Sequence, residues 1–254
     1  GSAQILGHDT RKGTNAIRSL LGYMPQEFSQ YPDLSLAENL DFFANIQHVP
    51  ENEKQERIKK MLDFTMLAPF ADRRAGKLSG GMKKKLALAC AMVHNPRVLI
   101  LDEPSTGVDP VSRRELWTLL AQVVEQGVTV LVSTPYMDEA ERCHQVAMLY
   151  EGELLTSGTP EQITKSLPFN VLEVKAKPRK KMREVIDRTQ GIVDWSPVGD
   201  RLRVAIKPEN WEPVIADIKQ QFEAENLQTS ILRPVRNGME DAFVHLVRQE
   251  RDKA

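Results

Sequence analysis

The sequence predicts an α/β protein, with a parallel sheet and crossover helices over residues 1–165 and a small α+β module over residues 169–254. Three observations carry this. Val98-Leu99-Ile100-Leu101 and Val128-Thr129-Val130-Leu131-Val132 are short, continuous, apolar and β-branched runs, the length of strands buried on both faces. The stretch between them, residues 113–125, reads as a helix long enough for a right-handed crossover. After Pro168 the order becomes strand-helix-strand-strand-helix-strand, the order of a ferredoxin-like module.

The elements follow in turn. Ser35 with Glu38 has the form of a capping box, and Leu36, Leu40, Phe43 and Ile46 then recur about one turn apart. Pro50 stops that helix, and a second amphipathic one runs through Ile58 and Leu62. Another helix follows Lys77-Leu78-Ser79-Gly80-Gly81-Met82-Lys83 and leads to the strand at residues 98–101. In the second region, residues 171–175, 192–195, 202–206 and 231–235 read as strands, and residues 181–189 and 211–226 as helices. A last helix, residues 239–251, follows Asn237-Gly238. No internal repeat or low-complexity tract interrupts the chain.

Composition excludes several classes. Among 254 residues, 34 Lys+Arg stand against 35 Asp+Glu, so no bulk field draws the chain to nucleic acid, and no nucleic-acid partner is expected. At 41% hydrophobic the chain can bury a real core. No apolar run approaches the ~18 residues of a membrane helix, residues 86–93 coming nearest. The first residues lack the form of a secretion signal, and Cys90 and Cys143 make neither a disulfide framework nor a metal quartet. A soluble, cytosolic globular protein is expected.

Chemistry concentrates in two places. Ser79-Gly80-Gly81 at a helix start offers a hydroxyl, unobstructed backbone N–H groups and the positive end of the helix dipole, which together suit a phosphate. The apolar strand ending in Asp102-Glu103 places two carboxylates at the carboxyl edge of a sheet, where α/β proteins bind ligands. One carboxylate can hold Mg²⁺ through water, and the next can take a proton from an attacking water.

In this order and spacing the motifs resemble the ATP-binding cassette (ABC) ATPase family over roughly residues 1–165. Residues 78–82 (Leu78, Ser79, Gly80, Gly81, Met82) resemble its signature, and residues 99–103 its Walker B strand. Residues 105–109 resemble its D-loop, and Gly22-Tyr23-Met24-Pro25-Gln26 its Q-loop. Residues 133–140 resemble its H-loop segment in all but one place. The Met-Pro-Gln loop and Gly238-Met239-Glu240-Asp241-Ala242-Phe243 are similar to exporters of the drug-resistance type.

The resemblance implies a partial ABC-type ATPase domain, with a parallel sheet core and a helical subdomain at residues 27–72 that contacts a transmembrane permease. It also implies ATP and Mg²⁺ as cofactors, a second cassette as partner, and a peripheral place at the cytoplasmic face of the membrane. By the same resemblance Glu103 is catalytic, and Asp102 and Gln26 face the metal. Leu78, Ser79, Gly80, Gly81, Met82 and Asp109 reach a partner's ATP in trans.

Two departures stand out. No Gly-x-x-x-x-Gly-Lys-Ser/Thr P-loop occurs in the 254 residues. Gln4-Ile5-Leu6-Gly7 resembles the strand that follows the P-loop helix, so the chain is expected to begin after that element. Second, Pro135 stands at the switch-histidine position with no side-chain donor, and His144 is no replacement. The chain's own site is therefore expected to be degenerate and inactive alone, while its signature completes a partner's site.

Plainer readings exist for each feature: a Gly-rich turn for residues 78–82, a strand cap for Asp102-Glu103, a loop residue for Gln26. The ordered spacing outweighs them. Lys83-Lys84-Lys85 and the basic run at residues 175–183 read as solvated, Cys90 as a buried thiol, and Cys143-His144 as structural. His8, His48, His94 and His245 form no cluster. A regulatory or scaffold ABC-type protein and a soluble ABC ATPase of translation or repair are the alternative functions.

Overall fold

A computed structural model describes residues 1–252, leaving aside the side chain of Asn15, and divides the chain into two compact units, residues 1–135 and 136–254. The sequence boundary at residues 165–169 falls inside the second unit.

The first unit opens with a small antiparallel pair, β1 (Gln4–Ile5) and β2 (His8–Asp9), and a short helix α1 (Thr14–Arg18). Strand β3 (Leu21–Met24) leads through an irregular loop to α2 (Leu36–Ile46) and α3 (Glu51–Phe64). The Ser35 capping box is formed: Ser35 Oγ accepts from Glu38 N at 3.2 Å, and Ser35 N donates to Glu38 Oε2 at 2.7 Å. Two 3₁₀ turns, Ala68–Phe70 and Ala75–Lys77, precede α4 (Gly80–Met92). Then come β4 (Val98–Asp102), α5 (Pro110–Glu125) and β5 (Thr129–Ser133).

The three longer strands form a parallel sheet in the order β3-β4-β5, with Met24, Leu101 and Val132 on one rung and Asp102 opposite Ser133. Helix α4 is buried around nearly its whole circumference from Lys85 to Met92 and packs on one face of this sheet with α5. Gly22 makes the approach possible, because a Cβ there would lie 2.3 Å from the carbonyl oxygen of Ala91.

Burial of the strands on both faces, expected from their composition, does not hold. Leu99 and Leu101 are buried against α4 and α5, but the opposite face carries the row Tyr23, Ile100 and Leu131, with Tyr23 54% and Leu131 61% exposed. The reason is coverage: both helices lie on one side, and among the described residues no strand pairs with the outer edge of β5.

The second unit begins with a short helix α6 (Met137–Ala140) and an antiparallel hairpin, β6 (Val146–Tyr150) and β7 (Glu153–Gly158). Helix α7 (Pro160–Lys165), capped by Thr159 and Gln162, joins them. There follow β8 (Asn170–Lys177), α8 (Arg179–Arg188), β9 (Ile192–Val198), β10 (Arg201–Ile206), α9 (Trp211–Ala224), β11 (Gln228–Val235) and α10 (Met239–Arg251). The four strands pair antiparallel in the order β11-β8-β10-β9, so a strand of each βαβ half splits the other.

Met182, Val185 and Ile186 of α8 and Val214, Ile218 and Phe222 of α9 cover the sheet with Leu172, Val174 and Val204. Arg203 fixes α10 to β10 through Asp241, at 2.7 and 3.3 Å. Met239 and Ala242 of α10 share a core with Met148 and Ile163, which places residues 136–165 with the C-terminal unit rather than with the parallel sheet. No helix among the described residues is long and apolar enough to cross a membrane.

Each unit thus has its own apolar cluster. Leu88→Ala in the first and Phe222→Ala in the second, both fully buried side chains, should each destabilise by about 2–5 kcal/mol, read as a lowered urea midpoint.

Candidate functional site

The carboxyl end of β4 gathers the polar groups. Ser133, opposite Asp102 in the parallel ladder, donates its hydroxyl to Asp102 Oδ1 at 2.6 Å. Its Oγ and its carbonyl oxygen each lie 3.1 Å from Glu103 N. Glu103 itself takes φ +42°, a left-handed conformation costly for a residue with a side chain and found disproportionately at functional sites. Its Oε2 accepts from Gln26 Nε2 at 2.8 Å and from Thr106 Oγ1 at 3.0 Å. Gln26, Asp102 and Glu103, distant in sequence, therefore meet.

The lysine run does not lie on a solvated face. Lys84 Nζ donates to the carbonyl oxygen of Gln26 at 2.6 Å, Lys85 bridges Glu115 at 2.7 Å, and Lys83 Nζ sits 5.2 Å from the Phe28 ring centroid. Three successive residues on a helix point about 100° apart, so each finds a different neighbour. Burial holds the Lys84 ammonium below the usual lysine range, against the pull of Glu103 and Asp102. Lys84 lay outside the predicted site, and Thr106 and Ser133, though inside the D-loop and H-loop segments, were given no role there.

The start of α4 is the second element. Ser79 caps the helix, its Oγ accepting from Met82 N at 3.3 Å, and the side chain's O–H is left to donate. Ser79 and Gly80 are exposed while Leu78 and Gly81 are buried, so the anchoring and presenting positions alternate around the helix start. With no acidic residue in its first turn, the helix dipole faces outward uncompensated, as an anion site requires. Among the described residues no hydrogen bond joins Ser79 to the Asp102–Glu103 cluster.

Asp109 caps α5, its Oδ1 accepting from Ser112 N at 3.0 Å and Val111 N at 3.1 Å. The Ser112 amide, then the Ser112 hydroxyl, hold its carboxyl below the ordinary aspartate value. Pro135 lies two residues past Ser133, exposed and without a donor to offer. Cys90 is buried, which pushes its thiol pKa up, and Cys143 Sγ donates to Glu139 O at 3.6 Å.

A cleft of about 780 Å³ lies beside β3, lined among others by Tyr23, Ser29, Gln30, Phe43, Ile46 and His94. His94 Nε2 donates to Leu21 O at 3.1 Å, which leaves Nδ1 as an acceptor, and burial keeps the ring neutral by lowering its pKa. His94 Nδ1 and Gln30 Oε1 are both buried without a hydrogen-bond partner.

Comparison with known proteins bears on this geometry. A family model described as ABC transporter matches residues 1–106. The chain is 38% identical over 250 residues to the probable multidrug ABC transporter ATP-binding protein YbhF of Escherichia coli, covering 97% of this chain and 42% of that protein. It is 32% identical over 257 residues to the Nod factor export ATP-binding protein I of Burkholderia thailandensis, covering 98% of this chain and 80% of that protein. Among solved structures, cbiO1 from Clostridium perfringens, part of the ABC transporter complex cbiONQ, superposes with a TM-score of 0.58 at 27% identity, over 73% of this chain and 71% of that one. A dimeric post-hydrolysis ATP-binding cassette bound to ADP and Pi superposes with a TM-score of 0.56 at 25% identity, over 63% of this chain and 73% of that one. The chain thus spans less than half the length of the Escherichia coli relative.

The two glycines at the start of α4 should separate under substitution. A Cβ on Gly81 would stand 2.3 Å from Ser112 Oγ and 2.4 Å from its Cβ, whereas one on Gly80 meets nothing nearer than Gly107 O at 3.5 Å. Gly81→Ala should lose about 1–3 kcal/mol by chemical denaturation, and Gly80→Ala should leave the midpoint nearly unchanged.

Proposed function

Since this chain belongs to the ABC transporter family of ATP-binding proteins, we propose that it is the nucleotide-handling part of an exporter, coupling ATP binding and hydrolysis to transport. The names of the relatives, a multidrug transporter and a Nod factor exporter, support the direction of transport. The observation that carries the reading is the convergence of Gln26, Asp102, Glu103 and Ser133 at the carboxyl edge of the parallel sheet, beside a helix that begins with Ser79-Gly80-Gly81.

The fit to MgATP is uneven. Asp102, oriented by the Ser133 hydroxyl, suits a magnesium ion held through water, with Gln26 the second contact. Magnesium there would supply charge neutralisation for phosphate. The backbone cradle and lysine of a P-loop are not among the 254 residues. The chain's own phosphate site is therefore incomplete within this stretch, and Pro135 leaves it without a switch donor.

What the chain offers complete is its signature. Leu78 and Met82 anchor the start of α4, and Ser79 and Gly80 present a hydroxyl and backbone N–H groups to the γ-phosphate of a partner cassette, with Asp109 holding the neighbouring loop. Glu103 is the carboxylate placed to take a proton from water in the chain's own site. Residues 1–165 carry the family's motifs and residues 169–254 a ferredoxin-like accessory module. The outer edge of β5 and the exposed row Tyr23, Ile100 and Leu131 suit a further strand and helix bearing a P-loop.

The permease would dock in the cleft between β3, α2 and α4, where Gln30 and His94 hold acceptors for its donors. This sets the chain at the cytoplasmic face of the membrane without spanning it. Pro135 also favours a second reading, a regulatory cassette that does not turn over ATP itself.

Calorimetric titration of the 254-residue chain with MgATP should give a dissociation constant at or weaker than ~1 mM, about −4 kcal/mol. Joining a P-loop strand and helix ahead of Gln4 should restore micromolar binding. Micromolar binding by the 254 residues alone would overturn the incomplete site.

In the reconstituted transporter, Ser79→Arg should lower turnover about a hundredfold, as loss of a transition-state donor does, and Glu103→Gln should lower it much less. The reverse ranking would make the chain's own site the working one.

A further inference from the structure

We propose that Lys84 is a positioning residue that sets Gln26 on Glu103 and thereby joins the loop after β3 to the helix that opens with Ser79-Gly80-Gly81. Lys84 Nζ holds the main-chain oxygen of Gln26 at 2.6 Å, and the side-chain amide of the same residue reaches Glu103 Oε2 at 2.8 Å. Little else holds the main chain at Gln26. Among the described residues no backbone-to-backbone hydrogen bond is made by residues 25–30, and Gln26 itself is exposed. Further ties are Lys83 over the Phe28 ring at 5.2 Å, Phe28 against the apolar core and, at the far end, Tyr31 N on Asn39 Oδ1 at 2.8 Å with Asn39 Nδ2 on Tyr31 O at 3.0 Å. Two of the loop's ties are therefore made by successive lysines of α4.

A half-buried ammonium on a carbonyl is a charge-assisted bond, stronger than a neutral one and set in a fixed direction by the helix that carries it. Lys84 stands five residues after Ser79, roughly 7.5 Å along the axis at 1.5 Å per residue. Both residues belong to one continuous helix, anchored by the buried Gly81 between them and by the buried stretch from Lys85 to Met92 beyond. A displacement at the exposed helix start is therefore delivered to the Gln26 carbonyl, and through its amide to the carboxylate oxygen that Thr106 also holds. The significance of the contact for hydrolysis rests on the roles proposed for Gln26 and Glu103. The contact itself can be tested without nucleotide, so that its failure and the failure of MgATP binding are told apart.

The experiment is a ¹⁵N correlation spectrum of the nucleotide-free 254-residue chain, with the Gln26 side-chain NH₂ pair assigned by its loss in Gln26→Glu. In the wild type this pair should lie away from the free-glutamine position. Lys84→Met keeps the length and loses the donor. It should return the pair to the free-glutamine position. Lys84→Arg keeps a cationic donor and should retain the wild-type pair. A packing role alone would not separate Arg from Met in this signal. The proposal is overturned by a wild-type pair already at the free position, by an unchanged pair in Lys84→Met, or by Lys84→Arg behaving as Lys84→Met. Should Lys84→Met not fold, the wild-type and Lys84→Arg spectra decide the matter.

Discussion

The parallel ladder between β4 and β5 ends with Asp102 opposite Ser133, and the hydroxyl at that last rung organises the polar cluster beyond the strand end. It orients one carboxylate directly and meets the backbone N–H of the next residue, at the point where the chain turns into a left-handed conformation. That turn aims Glu103 toward Gln26 and Thr106 rather than along the strand. A slip of one residue in the ladder would send Ser133 to the other side of the sheet, leaving the Asp102 carboxylate without its donor and the Glu103 N–H without that acceptor. The site is thus a property of strand register before it is a property of any side chain.

Much of the fold was legible from pattern. The capping box at Ser35, the helices around Ser79 and Trp211, and the strand–helix order after Pro168 rest on local chemistry that a sequence displays. What did not show was coverage. Val128-Thr129-Val130-Leu131-Val132 has the composition of a strand buried on both sides, yet Leu131 faces outward because the helices lie on one side only. Composition reports what a strand can tolerate, whereas coverage depends on elements elsewhere in the chain. The grouping of residues 136–165 was hidden for a related reason: their core partners, Met239 and Ala242, lie some hundred residues later.

At the site the split is similar. Asp102 and Glu103 stood out because two carboxylates at the end of an apolar strand suggest metal and proton chemistry, and Gln26 through the resemblance of its loop to a family motif. Ser133, Thr106 and Lys84 did not, since a serine at a strand end, a threonine in a turn and one lysine of three carry no signal until register and helix phase are known. Lys83, Lys84 and Lys85 show this most plainly, for adjacent identical residues have three unlike partners, an aromatic ring, a carbonyl and a carboxylate.

The outer edge of β5 has a consequence for handling rather than for chemistry. Among the described residues no strand takes up its outer N–H and C=O groups, which lie beside Leu131, with Tyr23 exposed on the same face two strands away. An edge of that kind accepts any extended segment, including a second copy of itself. In concentrated solution the hazard is therefore strand-to-strand adhesion among correctly folded molecules, and the remedy is a charged residue at position 131 rather than a firmer core.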